Sequence, residues 1–367
     1  MDPHVLELKQ KILNAHLAKE LEAKLLQQIE RLANALHMGG GAGFGTYEQV
    51  DSYVEWMVNL PWSKKSEDIL DIKKAKQIFD KNHYGLENIK KRILEFLSVI
   101  ILQKKQNLAN MVSSSQGAEQ FTQITKLAQY SGHLHSPILC FVGLVGTGKT
   151  TMAVSIAEAL NRQLVRIPFG GLASALDLRG LSRIHPEAEP GVIMKSLRRV
   201  NVKNPVILLD ELDRVSDEKR QEIMGVLVEL LDPSQNQAFV DHYIDYPFDL
   251  SDAIFVATAN NVAKVATAVM DRMEVIQMPS YTDDEKLHIA REYLLPHAIK
   301  EAGLPPDSLQ IDEKVWPVLI RPLGFDAGIR TLKREVEGMA RIVAWKMLNG
   351  EGNKFIVNDR NYRDFME

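Results

Sequence analysis

One segment constrains the fold of this chain more than any other: residues 143–150, which read GLVGTGKT. They follow the apolar run ILCFV at residues 138–142 and precede a helix-forming stretch that begins at Thr151. This is the G-x-x-x-x-G-K-[ST] pattern of a phosphate-binding loop, in the strand-before, helix-after context that the pattern requires. Its glycines let backbone N–H groups form a concave nest for an anion, and the following helix adds the positive end of its dipole. The segment therefore predicts a nucleoside triphosphate site in an α/β fold.

The side chains of this loop have separate expected roles. Lys149 can reach the β- and γ-phosphates, and the hydroxyl of Thr150 can ligate Mg²⁺. The expected cofactors are therefore ATP or ADP together with Mg²⁺, and the alternative is a glycine-rich turn without a ligand. The other residues expected to contact the nucleotide lie in the loop and the first helical turn: Gly143, Gly146, Thr147, Gly148 and Thr151.

Charge and composition limit the expected partners. The chain has 367 residues and a formal net charge of −4, which gives no global attraction to nucleic acid or to an anionic membrane. No apolar run approaches the roughly 18 residues of a membrane span. Cys140 is the only cysteine, which excludes an internal disulfide and fits a reducing compartment. Neither a secretory signal nor an arginine-rich transit peptide is present at the N-terminus.

Hydrophobic periodicity predicts three regions. In residues 1–70, a long amphipathic helix over residues 5–35 is followed by a glycine-rich break and a second helix over residues 47–60. In residues 71–280, helices within 72–104 and a flexible insertion at about 106–136 precede the nucleotide-binding sheet. Residues 281–367 form a helical lid. The buried parallel strands of the sheet are expected at residues 138–142, 164–168, 206–209 and 254–258.

Two carboxylates follow the third expected strand. Asp210 would hold Mg²⁺ directly or through water, and Glu211 would orient and deprotonate the attacking water. An acidic turn after a core strand is the alternative. Farther along, Asn260 ends the fourth strand and would position that water or contact the γ-phosphate. Arg272 would reach the nucleotide of a neighbouring subunit, the alternative being a surface salt bridge with Asp271 or Glu274.

The order of these motifs resembles that of the AAA+ ATPases, and further segments narrow the resemblance to the ATPase module of Lon proteases. It extends from about residue 47 to residue 349. The segments that carry it read NLPW at 59–62, LLDPSQN at 230–236, DHY at 241–243, FDLS at 248–251, DRMEVI at 271–276 and YTDDEK at 281–286.

The resemblance implies roles for individual residues. Asn260 corresponds to sensor 1, Arg272 to the arginine finger, and Arg330, in the sequence GIR, to sensor 2. The sequence HYG at residues 83–85 matches the segment near the adenine, which places Tyr84 and Gly85 there. The implied fold is an AAA+ parallel sheet with flanking helices, an N-terminal helical region and a C-terminal helical lid.

Lon proteins are homo-hexamers that unfold proteins with ATP and cut them with a Ser-Lys dyad in a further domain. No segment here resembles the nucleophile motif, so we expect the helical region and ATPase module of a longer protein, without a peptidase site. A AAA+ remodeller or loader without proteolysis is the alternative, and a binding-only regulator is a third. The resemblance is greatest to fungal peroxisomal Lon, which implies the peroxisomal matrix; the mitochondrial matrix and the cytoplasm are the alternatives.

Two segments depart from the Lon pattern. The phosphate loop has Leu144 and Val145 where most Lon proteins have two prolines, and binding should survive because these positions contribute backbone N–H groups. In the loop that is expected to grip the polypeptide, Ile184-His185-Pro186, the last two residues stand where the family has a tyrosine and an aliphatic residue. Either Ile184 and His185 grip with altered side-chain preference, or this loop grips weakly.

Overall fold

The computed structural model describes residues 3–37, 43–114, 138–185, 187–321 and 328–366. Helices precede the sheet, alternate with its strands and follow it, as the sequence predicts. The helices are α1 (Pro3–Asn14), α2 (Lys19–His37), α3 (Gly43–Asn59), α4 (Ile72–Asn82), α5 (Glu87–Ser114), α6 (Lys149–Leu160), α7 (Leu176–Arg179), α8 (Val192–Val200), α9 (Arg220–Leu230), α10 (Thr267–Met270), α11 (Asp283–Ile289), α12 (Leu295–Glu301), α13 (Trp316–Ile320) and α14 (Arg330–Leu348).

The strands form one large sheet and two small ones within the described residues. They are β1 (Ile138–Val142), β2 (Leu164–Pro168), β3 (Val206–Asp210), β4 (Phe239–Val240), β5 (Pro247–Phe248), β6 (Ile254–Ala259), β7 (Met273–Gln277), β8 (Leu309–Ile311) and β9 (Phe355–Val357). The five-stranded sheet has the order β2-β3-β6-β1-β7, and all its pairs are parallel. The α/β fold with a parallel sheet is therefore confirmed.

Parallel register brings the functional segments to one edge of this sheet. Val142 pairs with Ala259, and Asp210 pairs with Pro168, so the strands end close together. In a parallel α/β sheet, ligands bind beyond the carboxyl ends of the strands. The phosphate loop follows β1, the two carboxylates lie at the end of β3, and Asn260 follows β6. Because these ends share an edge, residues far apart in sequence meet there.

The prediction of one helix over residues 5–35 is wrong. The segment forms two helices, α1 and α2, and His16 between them has a positive φ of 49°. Leu8 and Ile12 of α1 and Leu21 and Leu25 of α2 are all buried in one core. A turn of four residues lets both apolar faces meet that core. The periodic pattern hides this turn because residues 15–18 contain neither glycine nor proline.

Two further element boundaries and one strand differ from the expectations. Helix α3 begins at Gly43, four residues before the predicted start. Helix α5 continues to Ser114, into the stretch expected to be a flexible insertion, of which residues 115–136 lie outside the described part. Strand β7 is a fifth sheet strand that the hydrophobic pattern did not indicate. It is an edge strand with only two buried residues, Met273 and Ile276, so its apolar run is broken.

Two hydrophobic clusters cover the two faces of the large sheet. On one face, Phe141 and Leu208 pack with residues of α4, α5 and α6, such as Phe79 and Ile156. On the other face, the cluster that contains Leu209 continues without interruption into the buried residues of α1, α2 and α3. The N-terminal helices therefore share a core with the nucleotide-binding sheet.

The third cluster belongs to the lid, here residues 281–366. It forms around Trp316, Val336, Met339 and Val357, with β8 and β9 paired in parallel. The lid begins at a reciprocal capping box, which Thr282 and Glu285 form at α11. Across the described residues, none of the helices combines the length and the apolar character needed to cross a bilayer.

Candidate nucleotide site

A cavity of about 480 Å³ lies at the carboxyl edge of the sheet, between the sheet and the lid. This volume is within the range of small-molecule sites. The structure brings ten of the sequence-predicted residues to its wall: Tyr84, Gly146, Gly148, Lys149, Thr150, Thr151, Asp210, Glu211, Asn260 and Arg330.

Two glycines give the phosphate loop its shape. Gly146 and Gly148 have φ values of 84° and 89°, a left-handed conformation that glycine adopts without steric cost. Gly143 serves packing, because a Cβ there would lie 2.6 Å from the carbonyl oxygen of Met278. Thr147 is fully buried, and its hydroxyl donates to the Leu144 carbonyl at 2.9 Å, so it supports the loop from behind.

The ammonium of Lys149 closes the loop on itself. It donates to the carbonyl oxygens of Gly143 and Leu144 at 2.7 and 2.8 Å and to Oδ1 of Asn260 at 3.0 Å. Burial lowers the pKa of Lys149, and the nearby carboxylates, Asp213 first, oppose that shift. The charged group is thus held next to the phosphate nest by neutral acceptors, which an anionic phosphate can replace.

Asp210 and Thr150 supply the oxygen atoms suited to Mg²⁺. The Thr150 hydroxyl donates to Asp210 Oδ1 at 3.4 Å, and the Thr258 hydroxyl donates to the same atom at 2.5 Å. Mg²⁺ prefers such oxygen ligands and is usually held by one or two carboxylates, with substrate phosphates and water. The residues present therefore fit the expected ion.

Arg166 is a site residue that the sequence analysis missed. From β2, its Nε donates to Asp210 Oδ2 at 2.7 Å, and its Nη2 lies 2.6 Å from the same oxygen. Arg166 also lines the cavity. The sequence feature that could have indicated its role is its position as a charged residue in the middle of the apolar run at residues 164–168. Its partner, however, depends on the pairing of β2 with β3.

Glu211 stands on a strained backbone. Its φ of 59° is left-handed, and its N–H donates to the Thr258 hydroxyl at 2.8 Å. Such a conformation at a non-glycine residue costs on the order of 1–3 kcal/mol and is common at functional sites. Glu211 lines the cavity. Its Oε2 also lies 3.2 Å from Nη1 of Arg214.

The side chain of Asn260 is oriented by Asp213, a second residue that the sequence analysis missed. Asp213 accepts from the Asn260 backbone N–H at 2.9 Å and from its Nδ2 at 3.4 Å. The Asn260 side-chain oxygen therefore faces Lys149, from which it accepts. An acidic residue in a turn carried no distinguishing signal in the sequence.

Ring side chains and apolar groups line the far end of the cavity. The rings of Tyr84 and His288 stack with centroids 3.9 Å apart, and Tyr293 and Leu294 line the wall from a π-helical turn, Ala290–Leu294. His83 is buried, and its Nε2 lies 2.9 Å from Ser155 Oγ. Burial lowers its pKa to about 4, so its ring is neutral near pH 7. A flat base fits such a surface.

The lid touches the phosphate loop directly. The Ile329 N–H donates to the Gly146 carbonyl at 3.2 Å. Gly328 packs so closely that a Cβ there would lie 2.5 Å from the Val145 carbonyl oxygen. Arg330, the first residue of α14, lines the cavity next to this contact. The Gly-Ile-Arg sequence thus joins the lid to the phosphate loop.

Comparisons with known proteins agree with this geometry. Residues 139–281 match the model of the ATPase family associated with various cellular activities (AAA). The chain is 38% identical over 355 residues to a Lon protease of Desulforamulus reducens, covering 97% of this chain and 40% of that protein. It is 42% identical over 305 residues to Lon protease 2 of Thermus thermophilus, covering 83% of this chain and 36% of that protein.

A further relative is the peroxisomal Lon protease homolog 2 of Danio rerio, 40% identical over 305 residues, which are 83% of this chain and 33% of that protein. The chain is an AAA ATPase module homologous to those of Lon proteases. It spans about two fifths of the length of the Desulforamulus reducens relative. The Lon-type module binds nucleotide, and the cavity between sheet and lid is its candidate site.

Arg272 of this module lies away from the cavity lining. Its Nη2 is 3.2 Å from Asp232 Oδ2, and its Nη1 donates to the Ala268 carbonyl at 2.7 Å. Its carboxylate partner is thus neither Asp271 nor Glu274, the two suggested by sequence proximity. Glu274 pairs instead with Arg92, with a nitrogen–oxygen distance of 2.6 Å.

The predicted polypeptide loop is also separate from the cavity. Ile184 is 90% exposed, and His185 is exposed beside it. The backbone N–H of Leu181 donates to the Glu189 carbonyl at 3.0 Å and closes the base of the loop. Pro186 lies outside the described residues. Gly85, next to Tyr84, does not line the cavity but has a φ of 63°, which turns the chain there.

Proposed function

We propose that this AAA ATPase module is the motor of a protease that unfolds proteins with the energy of ATP. One observation carries the proposal: Lys149, Asp210, Glu211, Asn260 and, from the lid, Arg330 converge on one cavity. Nucleotide binding alone would not require the carboxylate of Glu211 beside an oriented amide. Activation of water next to a bound triphosphate requires both.

Binding begins with an exchange of partners at Lys149. Its ammonium leaves the neutral carbonyls of Gly143 and Leu144 for charged phosphate oxygens, with which hydrogen bonds are stronger. Thr150 and Asp210 would hold Mg²⁺, which when bound neutralises charge on the phosphates. Tyr84 contacts the adenine end, with Gly85 turning the chain beside it, and Thr147 and Thr151 support the phosphate end.

Residues at the γ-phosphate end of the cavity carry out hydrolysis. Glu211 accepts a proton from the attacking water, and its strained backbone holds the carboxylate in place. Asn260, fixed by Asp213, orients that water. Arg330 senses the γ-phosphate. The lid also contacts the Gly146 carbonyl through Ile329. Loss of the γ-phosphate therefore changes the position of the lid relative to the phosphate loop.

The module works in a ring of identical copies, a hexamer in the whole protein. The distance of Arg272 from its own cavity supports a role at the nucleotide of a neighbouring copy. Ile184, His185 and Pro186 contact unfolded or damaged polypeptides, and the exposure of Ile184 fits such a contact. Proteolysis belongs to the parts of the whole protein that this chain does not span. Nucleic acid and membranes are not partners.

We also propose a compartment and a domain division. We place the whole protein in the peroxisomal matrix, which the similarity to the peroxisomal homolog of Danio rerio supports. Within the chain we assign residues 1–70 to a helical region, 71–280 to the nucleotide-binding domain and 281–367 to the lid. The separate lid core supports the second boundary.

Mixing two inactive variants tests the shared site. Glu211→Gln and Arg272→Ala proteins should each hydrolyse ATP poorly. In an equal mixture, roughly a quarter of the sites combine an intact Glu211 with an intact Arg272 from the neighbour, so turnover should reappear. The measurement is phosphate release before and after subunit exchange. A mixture no more active than its components would contradict an arginine that acts between copies.

A further inference from the structure

The loop formed by residues 181–185 and 187–189, called the Ile184 loop below, is anchored at its base by a buried carboxylate. Asp241 is only 1% exposed, and its oxygens accept the N–H of Gly191 at 2.7 Å, of Tyr243 at 2.8 Å and of Ile244 at 3.1 Å. The bond from Gly191 joins the chain just after the loop to the segment of residues 241–246, and the bonds from Tyr243 and Ile244 fix Asp241 within that segment. The position of the loop base therefore follows that segment.

The N-terminal helices hold the same segment from the other side. The Tyr53 hydroxyl of α3 donates to the Ile244 carbonyl at 3.1 Å, and Lys24 of α2 donates to the Asp245 carbonyl at 2.7 Å. Burial raises the pKa of Tyr53 to about 12, so its hydroxyl remains a donor at neutral pH. Asp245 has a left-handed φ of 48°, a conformation that these contacts stabilise.

Arg183 connects the loop itself to these helices. Its guanidinium carbon lies 3.8 Å from the centroid of the Tyr53 ring, within the range of a cation–π contact. Its Nη2 lies 3.6 Å from Asp245 Oδ2. The next residue, Ile184, is 90% exposed. A single side chain thus ties the most exposed part of the loop to α3 and to the segment that α2 and α3 hold.

We propose that Arg183 is a positioning residue through which the N-terminal helices orient the Ile184 loop toward a polypeptide. The polypeptide contact itself rests on the proposed function. The contact between Arg183 and Tyr53 does not rest on the proposed function, because both side chains belong to this chain and meet without a bound polypeptide. Any movement of α3 relative to the sheet would change the direction in which Ile184 points, so the helices set how the loop is presented.

A second cation–π contact on the same helix provides a matched control. Arg198 of α8 lies over the ring of Trp56, with its guanidinium carbon 4.2 Å from the centroid. It joins α3 to the sheet domain as Arg183 does, but it lies outside the Ile184 loop. Loss of either contact weakens the attachment of α3 by one contact. Only loss of the Arg183 contact should release the loop.

Hydrogen exchange of the full chain, without nucleotide or polypeptide, tests the positioning role. Arg183→Ala should raise the amide exchange rates of residues 181–185 and 187–189 about threefold to fivefold, as expected for the loss of one cation–π contact. Tyr53→Leu should do the same. Arg198→Ala should leave these rates as in the wild type. Equal rates in Arg183→Ala and wild type, or equal increases in Arg183→Ala and Arg198→Ala, would overturn the proposal.

A titration with an unfolded polypeptide such as reduced casein measures the consequence. In Arg183→Ala, the polypeptide concentration that half-maximally stimulates ATP hydrolysis should rise about threefold to fivefold, with Arg198→Ala unchanged. If exchange changes as expected but no polypeptide stimulates the wild type, the positioning role stands and the proposed polypeptide function fails. If stimulation occurs and Arg183→Ala matches the wild type in both assays, the positioning role is overturned.

Discussion

The carboxyl edge of the sheet and the Ile184 loop differ in how firmly their side chains are held by neighbouring groups. At the edge, Lys149 and Asp210 are engaged before a ligand arrives. Lys149 donates to three acceptors, and Asp210 receives hydrogen bonds from Thr258 and Arg166. In the loop, Ile184 is 90% exposed, and the described contacts hold the loop at its base and at Arg183.

This difference matches the ligands that we propose for the two regions. A site that stabilises one transition state gains from groups fixed in advance, because no energy is then spent on reorganising them. A surface that meets polypeptides of many sequences gains from exposed, adaptable side chains on a fixed base. Substitutions at the edge should therefore affect nucleotide chemistry strongly, and matched substitutions in the loop should leave it nearly unchanged.

The largest expected contrast concerns nucleotide affinity. Lys149→Ala should weaken ATP binding about 100-fold, because charge-assisted hydrogen bonds to phosphate contribute up to about 3 kcal/mol. Ile184→Ala, in the loop, should leave the affinity within about twofold of wild type. Calorimetric titration with a slowly hydrolysed ATP analogue measures both. Comparable losses in the two variants would break the distinction between the regions.

A smaller contrast concerns the dependence of stability on pH. Burial lowers the pKa of His83 from 6.5 to about 4, so the unfolded chain binds the proton more readily than the folded chain. The contribution is complete above pH 6.5 and is lost as the pH falls toward 4. Between pH 7.5 and 5 the wild type should lose about 2 kcal/mol from this group.

Urea denaturation at several pH values measures this loss. His83→Gln should not show the loss, because it has no titrating ring at that position. His185→Gln, which changes an exposed histidine of the loop, should follow the wild-type pH dependence. A His83→Gln protein that loses as much stability between pH 7.5 and 5 as the wild type would refute the assignment.

The smallest expected effect concerns Arg166. Its ion pair occupies one oxygen of Asp210, so Arg166→Gln should free that carboxylate for Mg²⁺. The Mg²⁺ concentration for half-maximal nucleotide binding should fall about threefold to fivefold, equivalent to ~1 kcal/mol. Arg183→Gln is the matched change in the loop and should have no such effect. A higher Mg²⁺ requirement in Arg166→Gln would mean that the arginine assists the ion instead of competing with it.

The sequence predicted best where local pattern and chemistry coincide. The continuous apolar runs of β1, β3 and β6 indicated buried parallel strands, and Gly146 and Lys149 belong to a loop whose shape few residue types can form. The adjacent carboxylates Asp210 and Glu211 indicated that the carboxyl end of β3 belongs to the nucleotide site. The structure brings these residues to one cavity, as expected, and their individual roles remain predictions.

What the sequence did not reveal depends on contacts between distant segments. Arg166 meets Asp210 only because β2 pairs with β3, and Asp213 meets Asn260 across two turns. The turn at His16 contains no glycine or proline, so the hydrophobic periodicity predicted one continuous helix across it. Edge strand β7 buries only two side chains and therefore lacks a continuous apolar run.

The central claim is that this chain hydrolyses ATP at the sheet edge with Glu211 as the base. The most direct test measures ATP turnover and ATP affinity in the same Glu211→Gln protein, with Glu218→Gln, an exposed neighbour, as the control. Turnover in Glu211→Gln should fall about 10²–10⁴-fold, the usual worth of general base catalysis, while ATP affinity stays within about twofold of wild type. Turnover at the wild-type rate in Glu211→Gln would contradict the assignment.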